Sequence, residues 1–332
     1  MKDKIKSILP YSVIKQYQFF KLKKAYNYDL KKFINNYSSE NIMISSKRQL
    51  ESRLVFYSHS IEKGLSRKDF RYNFGYNVLK KLSNVMKVYI RKGYGTNDSA
   101  WLNTLSVLNC YQNKHVADKI PLEFFDDVFE EFIDEIKESL SDLGGTNFLN
   151  NKLNIDNKEK NFEQLALERS SLREYSSEDV CNERLHNAVR IAMKTPSVCN
   201  RQSFECHIIS DRNLIKEVLK IQSGLGGYDT PPKLILVTSR ISSFLSVSER
   251  NQQFIDGGLF AMSLLYAIEY ENLAACPLNA MFDMKNEIKI KKLLNIDDSV
   301  SLIMFISVGN YLSEYNVPKS FRYDISDVIV NH

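Results

Sequence analysis

With 332 residues, 43% hydrophobic and 26% charged, the chain has ordinary globular composition and enough length for two domains of usual size. A formal net charge of +5 is mild for a nucleic-acid binder, and no DNA- or RNA-binding motif occurs, so no nucleic-acid partner is expected. Five scattered cysteines without a C-x-x-C pair, and no histidine at zinc-ligand spacing, argue against a disulfide framework or a metal site and point to a reducing, cytoplasmic setting.

The start, MKDKIKSILPY, lacks the apolar run of a signal peptide, and the most apolar stretch, Gly257 to Ile268, is too short to span a bilayer. The first half carries few helix breakers, since no glycine precedes Gly64 and only Pro10 and Pro121 precede Pro196. Helices are predicted over about 13–34, 46–63, 76–89, 100–111 and 121–140. The first is rich in Lys, Tyr and Phe. A solvated helix face is the favoured reading of it, and contact with an anionic membrane surface is the alternative, not favoured.

The second helix ends in His59-Ser-Ile-Glu62-Lys63-Gly64, with Gly64 expected to close it in the left-handed conformation. His59, Glu62 and Lys63 share one face and could meet a ligand together; the simpler reading has Lys63 at the negative helix end and His59 packing. In 121–140, Phe125, Val128, Phe129, Phe132, Ile133 and Ile136 recur at helical spacing opposite a row of acids, with Pro121 in the first turn, which is a packing pattern.

Residues 141–160 break the pattern with Gly144-Gly145 and a run of Asn, Asp and Lys. The expected division is therefore a helical domain over 1–143, a linker over 144–160 and a second domain over 161–332. In the last, strands are predicted near 204–209, 233–238, 273–277 and 300–308, between helices near 183–194, 212–221, 252–270 and 285–294, so a sheet covered by helices is expected. The helix over 252–270 is apolar on nearly every side and belongs in a core or a subunit interface, with Gly257-Gly258 admitting another backbone close by.

Two polar stretches stand out. Arg169-Ser-Ser-Leu-Arg173-Glu-Tyr sets two guanidinium groups four residues apart around Ser170 and Ser171; a helix entering here would aim them at one point, suited to a phosphate, whereas ion pairs with Glu168 or Glu174 are the plainer alternative. Thr195-Pro-Ser-Val-Cys-Asn-Arg-Gln202 ends a helix and leads into a strand, a place where binding groups are mounted. Cys199 within it is expected to be a small packing residue.

In order along the chain, R-S-S-L-R-E-Y, P-S-x-x-N-x-Q, the Gly257-Gly258 helix, Leu273-Ala-Ala-Cys-Pro-Leu-Asn-Ala280 and Val317-Pro-Lys-Ser-Phe-Arg322 resemble the flavin-dependent nitroreductase family, over about Phe162 to the C-terminus. His59 to Leu65 with Phe74-Gly75 is similar to an extension on nitroreductase-like proteins from surface-polysaccharide gene clusters. The resemblance implies an α+β nitroreductase-like fold, a mostly antiparallel sheet flanked by helices, with an all-α N-terminal domain. It also implies a homodimer, FMN as cofactor and NADH or NADPH as electron donor.

By the same resemblance, Arg169, Ser170, Ser171 and Arg173 would hold the FMN phosphate and ring edge, and Lys319 and Arg322 would complete the phosphate site. Pro196, Ser197, Asn200 and Gln202 would reach the flavin across the dimer interface, and Pro277, Leu278, Asn279 and Ala280 would pass the isoalloxazine. His59, Glu62 and Lys63 would meet a small-molecule substrate. The implied reaction is ping-pong hydride transfer through flavin N5, serving surface-polysaccharide biosynthesis, with no side chain identified as catalytic acid or base. Asn279-Ala280 stands where many members have an acid and then glycine, and Phe321 is inserted before Arg322. These departures keep open a binding or scaffold role in a polysaccharide assembly.

Overall fold

The computed structural model describes residues 10–38, 41–151 and 156–332. In chain order the elements are α1 (Tyr11–Asn36), α2 (Lys47–Leu65), α3 (Tyr76–Arg91), α4 (Ser99–Ala117), α5 (Phe125–Val128), α6 (Ile133–Lys137), β1 (Thr146–Asn150), α7 (Phe162–Glu168), α8 (Asn182–Ala192), β2 (Phe204–Ile209), α9 (Arg212–Gln222), β3 (Lys233–Arg240), α10 (Gln252–Tyr270), β4 (Ala274–Asn279), α11 (Met284–Leu294), β5 (Val300–Gly309) and β6 (Glu314–Pro318). Local chemistry fixes several boundaries. Ser46 with Gln49, and Asn161 with Gln164, form capping boxes at α2 and α7, while Asp211 and Asp283 accept from backbone N–H groups at the starts of α9 and α11.

The described residues fall into two compact units, one from Met1–Asn36 with Asn154–Leu312 and the other from Tyr37–Leu153 with Ser313–His332. In the first unit, four strands form an antiparallel sheet of order β2-β3-β5-β4. Lys233 to Ser239 of β3 are all buried because both faces of the sheet are covered. On one face Ile235, Val237, Ile306 and Val308 pack with Leu185, Ala188, Phe260 and Leu264; on the other Leu234, Leu236, Leu278 and Phe305 pack with Ile215, Val218 and Ile290. The α+β class, an antiparallel sheet flanked by helices, is the one expected, and the helical character of the first half holds too.

The second unit packs Leu54, Leu82, Met86, Tyr89, Trp101, Leu108 and Tyr111 of α2, α3 and α4 into one core. Where a linker is expected, β1 pairs antiparallel with β6, Thr146 opposite Pro318 and Asn150 opposite Glu314, so the last part of the chain joins this unit. The helix expected over 121–140 is broken into α5, a 3-10 turn over Glu130–Phe132, and α6, with Pro121 outside any helix. Neighbouring helices claim its carbonyls: Ser83 of α3 donates to Val128 O at 2.7 Å and Asn109 of α4 to Ile136 O at 2.8 Å. Phe125, Phe129, Phe132 and Ile136 still reach the core as predicted.

Two glycine expectations change. Gly64 does not close α2 in the left-handed conformation; α2 runs to Leu65, and the Phe74 ring lies where a Cβ on residue 64 would stand, 2.1 Å from Cε2. Close packing, not backbone freedom, requires glycine there. Gly257 likewise meets a side chain, with Ile303 2.7 Å from its would-be Cβ, and Gly258 faces open space. Among the described residues, no helix is long and apolar enough to cross a membrane.

Candidate functional site

The Arg169–Arg173 stretch is not helical. Arg169 caps α7 in a non-helical conformation, Ser171 forms an isolated parallel bridge with Ala275, and the Leu172 N–H donates to Ala275 O at 3.0 Å. The segment therefore runs along the outer edge of β4, which lies last in the sheet. In an extended run alternate residues share a side, so Arg169, Ser171 and Arg173 form a set by a period of two rather than four. The bridge to Ala275 brings this set alongside the strand that carries Pro277, Leu278 and Asn279.

Tyr175 holds the segment down. Its hydroxyl donates to Leu172 O at 2.7 Å and lies 2.6 Å from Ser307 Oγ on β5, and its ring covers Gly309, whose would-be Cβ is 2.5 Å from Tyr175. Burial pushes this hydroxyl well above its ordinary range, so it stays a donor. Among the described residues neither Arg169 nor Arg173 forms an ion pair within 4 Å. Arg173 donates to Ser171 O at 3.4 Å, and Arg169 Nη1 is buried with no hydrogen-bond partner among the described residues. The ion pair formed by Glu168 is with Lys160. A buried guanidinium nitrogen without an acceptor is costly, and an anion would satisfy it.

Glu269, on α10, is buried near Arg169. It accepts from the Tyr311 hydroxyl at 2.7 Å, while Asn157 Nδ2 bonds its backbone carbonyl at 2.7 Å. Burial pushes its carboxyl above the ordinary range, opposed by Tyr311, Arg169 and Lys160. A carboxyl that binds its proton more tightly in the folded than in the unfolded chain stabilises the fold below its unfolded pKa, near 4.5, and that stability is lost as pH rises towards the folded value. Glu269→Gln keeps an acceptor for Tyr311 and stays neutral. The variant should melt above the native protein at neutral pH, with the gap closing as pH falls towards 4.5; a gap independent of pH would count against a strained carboxylate.

The loop after α8 is bound from below. Both carboxylate oxygens of Asp256, 1% exposed on α10, lie 3.2 Å from the Val198 N–H, and Gln252 Nε2 donates to Oδ1 at 2.8 Å. Ser197 Oγ accepts from the Gln202 N–H at 2.9 Å, and Arg201 pairs with Glu249 at 3.0 Å. Within this frame Cys199, Asn200 and Gln202 take positive φ of 49°, 53° and 47°, conformations that non-glycine residues adopt at a cost. Cys199 is exposed, not the packing residue expected. Pro196 borders a cavity of about 750 Å³ between α7, α8 and α10, whose lining includes Phe162, Ile191, Lys194 and Tyr266.

The remaining expected site residues are placed as follows. Leu278 is buried in the lower core, so only its backbone is available, and Asn279 receives Gln222 Nε2 on its carbonyl at 3.0 Å and the Met281 N–H on its side chain at 3.2 Å. Ala280 packs at the margin of the same core. Ser170 Oγ bonds Glu168 O at 3.3 Å. Lys319 and Arg322 belong to the second unit, where Lys319 Nζ pairs with Asp142 and Arg322 Nη1 donates to Phe321 O at 3.2 Å. In that unit too, Glu62 is buried, 3.1 Å from His59 Nδ1 and accepting the Gly145 N–H at 3.0 Å, which ties it to the β1 turn. Lys63 is half-buried beside them.

α10 buries one side and exposes the other. Phe260, Leu264 and Ile268 enter the core, whereas Phe254, Ile255, Leu259 and Met262 stay between 37% and 53% exposed. Asp256 and Glu269 were not singled out by the sequence patterns, and Tyr175 entered only as the last residue of the R-S-S-L-R-E-Y motif; an acid on the buried side of an apolar helix was the one available signal for the first two.

Residues 166–226 match the nitroreductase family. No curated protein matches the chain. Among solved structures it resembles a protein assigned provisionally as an NADH oxidase from Clostridium acetobutylicum, at 22% identity over 51% of this chain and 99% of that one, with a TM-score of 0.44. It also resembles a provisional NADH dehydrogenase/NAD(P)H nitroreductase from Parabacteroides distasonis, at 23% identity over 52% and 99%, TM-score 0.45. A third is an FMN-dependent nitroreductase from Clostridium difficile, at 18% identity over 50% and 94%, TM-score 0.41.

Proposed function

We propose that the chain is an FMN-dependent oxidoreductase of the nitroreductase type, active as a homodimer and drawing electrons from NADH or NADPH. The observation that carries this is the buried Arg169 Nη1, which has no hydrogen-bond partner among the described residues, in a segment that lies within the stretch matching that family. The donor set suits a phosphate monoester: two guanidinium groups and the Ser171 hydroxyl on one side of an extended segment, which Tyr175 locks to the sheet. Bound FMN would supply hydride transfer at its ring.

This chain's own part is to bind and orient. Arg169 and Arg173 take the anionic end, and the β4 segment from Pro277 to Asn279, held next to them by the Ser171 bridge, offers backbone groups to the ring. The exposed apolar row of α10 supplies a dimer face, and the 197–202 loop, which Asp256 fixes on that helix, presents Ser197 and Asn200 to the partner's cofactor. The test is the visible spectrum of the purified protein. A yellow protein that releases FMN on denaturation and is bleached by NADH or NADPH supports the proposal; a colourless one that cannot be loaded with FMN overturns it.

A further inference from the structure

α1 has no buried residue over its 26 positions. It carries six lysines against a single acid, Asp29, which amounts to +5 and equals the formal net charge of the whole chain. Asp29 is itself taken by Arg250, through bonds of 2.7 and 2.9 Å that dock the helix on the stretch leading into α10. Phe19, Phe20, Tyr26, Leu30, Phe33 and Ile34 are each between 48% and 67% exposed. A merely solvated helix accounts for the lysines and leaves these six large side chains unexplained.

Between α1 and residues 245–250 lies a groove of about 800 Å³. Ile14, Tyr17 and Tyr28 recur at helical spacing on its α1 wall and face Leu245 and Val247 across it, while Lys21 and Lys24 stand midway along the same wall. Lys21 Nζ sits 5.9 Å from the Tyr17 ring centre, above its face. Among the described residues, no acid lines the groove. An apolar trough with two lysines at its middle is complementary to an anionic head attached to a hydrocarbon chain.

We propose that this groove and the exposed residues of α1 form a docking site for an acidic phospholipid in a membrane surface, one acyl chain in the groove and its phosphate at Lys21 and Lys24. Lysines interleave with the exposed apolar residues along α1, which suits a surface both apolar and anionic. A second copy presenting the same helix would meet like charge. The inference is independent of the flavin proposal.

The test is co-sedimentation of the full chain with phosphatidylcholine vesicles, with and without phosphatidylglycerol. Binding is expected with phosphatidylglycerol alone and should fall in high salt. Lys21→Gln with Lys24→Gln should weaken it about 30-fold, the combined effect of two lysines near a lipid surface at roughly 1 kcal/mol each. Leu245→Asp with Val247→Asp should also weaken it while the lysines remain. Equal binding to both vesicle types, no binding by folded protein, or full binding by the Asp variant would overturn the proposal. So would complete displacement by soluble glycerol phosphate, which would mark a free-anion site, or a change of subunit number in the lysine variant, which would mark a subunit interface.

Discussion

Replacing Arg169 and Arg173 together by alanine should weaken FMN binding by about 3–6 kcal/mol, since each contributes charge-assisted hydrogen bonds worth roughly 1.5–3 kcal/mol. The two are not equivalent. Arg169 has a buried Nη1 with no hydrogen-bond partner among the described residues, while Arg173 already donates to Ser171 O, so Arg169→Ala should carry the larger share. Arg169→Lys should recover only part of the loss, because an ammonium cannot reproduce a planar fork. Stability without FMN separates a binding role from a structural one. Removing a guanidinium whose Nη1 lacks an acceptor relieves one cost and also removes its attraction for the buried Glu269, so the melting temperature of the cofactor-free protein should change little. Unchanged FMN affinity, measured by titration of a folded double variant, would defeat the phosphate assignment. A large drop in cofactor-free stability would instead make Arg169 a structural residue.

The sheet and its helices were legible because both of their signals are local. β2, β3, β5 and the four helices from α8 to α11 lie within a few residues of where apolar runs and helical spacing put them. The β1–β6 pair was not, because five residues rich in asparagine carry no alternation that marks a strand, and the partner lies about 170 residues away. The Arg169–Arg173 motif was legible as chemistry but not as conformation. Its residues suit a helix, and what makes the segment extended is a tertiary contact, the Leu172–Ala275 hydrogen bond beside the Ser171 bridge, that no local pattern encodes. Asp256 was hidden for a related reason. On an apolar helix it reads as a break in the pattern, and only the fold shows the backbone N–H it serves.

That N–H makes Asp256→Ala the second informative change. The carboxylate is buried, and its bonds go to Val198 N and Gln252 Nε2, both neutral donors. Deleting it leaves the Val198 N–H without its acceptor, at a cost of about 2–3 kcal/mol. The loop it holds contains Cys199, Asn200 and Gln202 at positive φ, each conformation storing roughly 1–3 kcal/mol that the surroundings must sustain. Once the latch is gone, the loop can relieve that strain by relaxing to ordinary backbone angles, which offsets part of the lost hydrogen bonding. The expected result is therefore a moderate fall in chemical-denaturation stability together with new protease cleavage between Ser197 and Gln202. An isosteric Asp256→Asn should lose less, since its carbonyl oxygen can still accept from Val198. If Asp256→Ala folds with unaltered stability and an unaltered cleavage pattern, the strain is intrinsic to the loop and Asp256 does not sustain it. If instead cleavage appears and FMN affinity falls as well, the loop's fixed shape is needed for the cofactor, as expected where Ser197 and Asn200 serve the partner subunit's flavin.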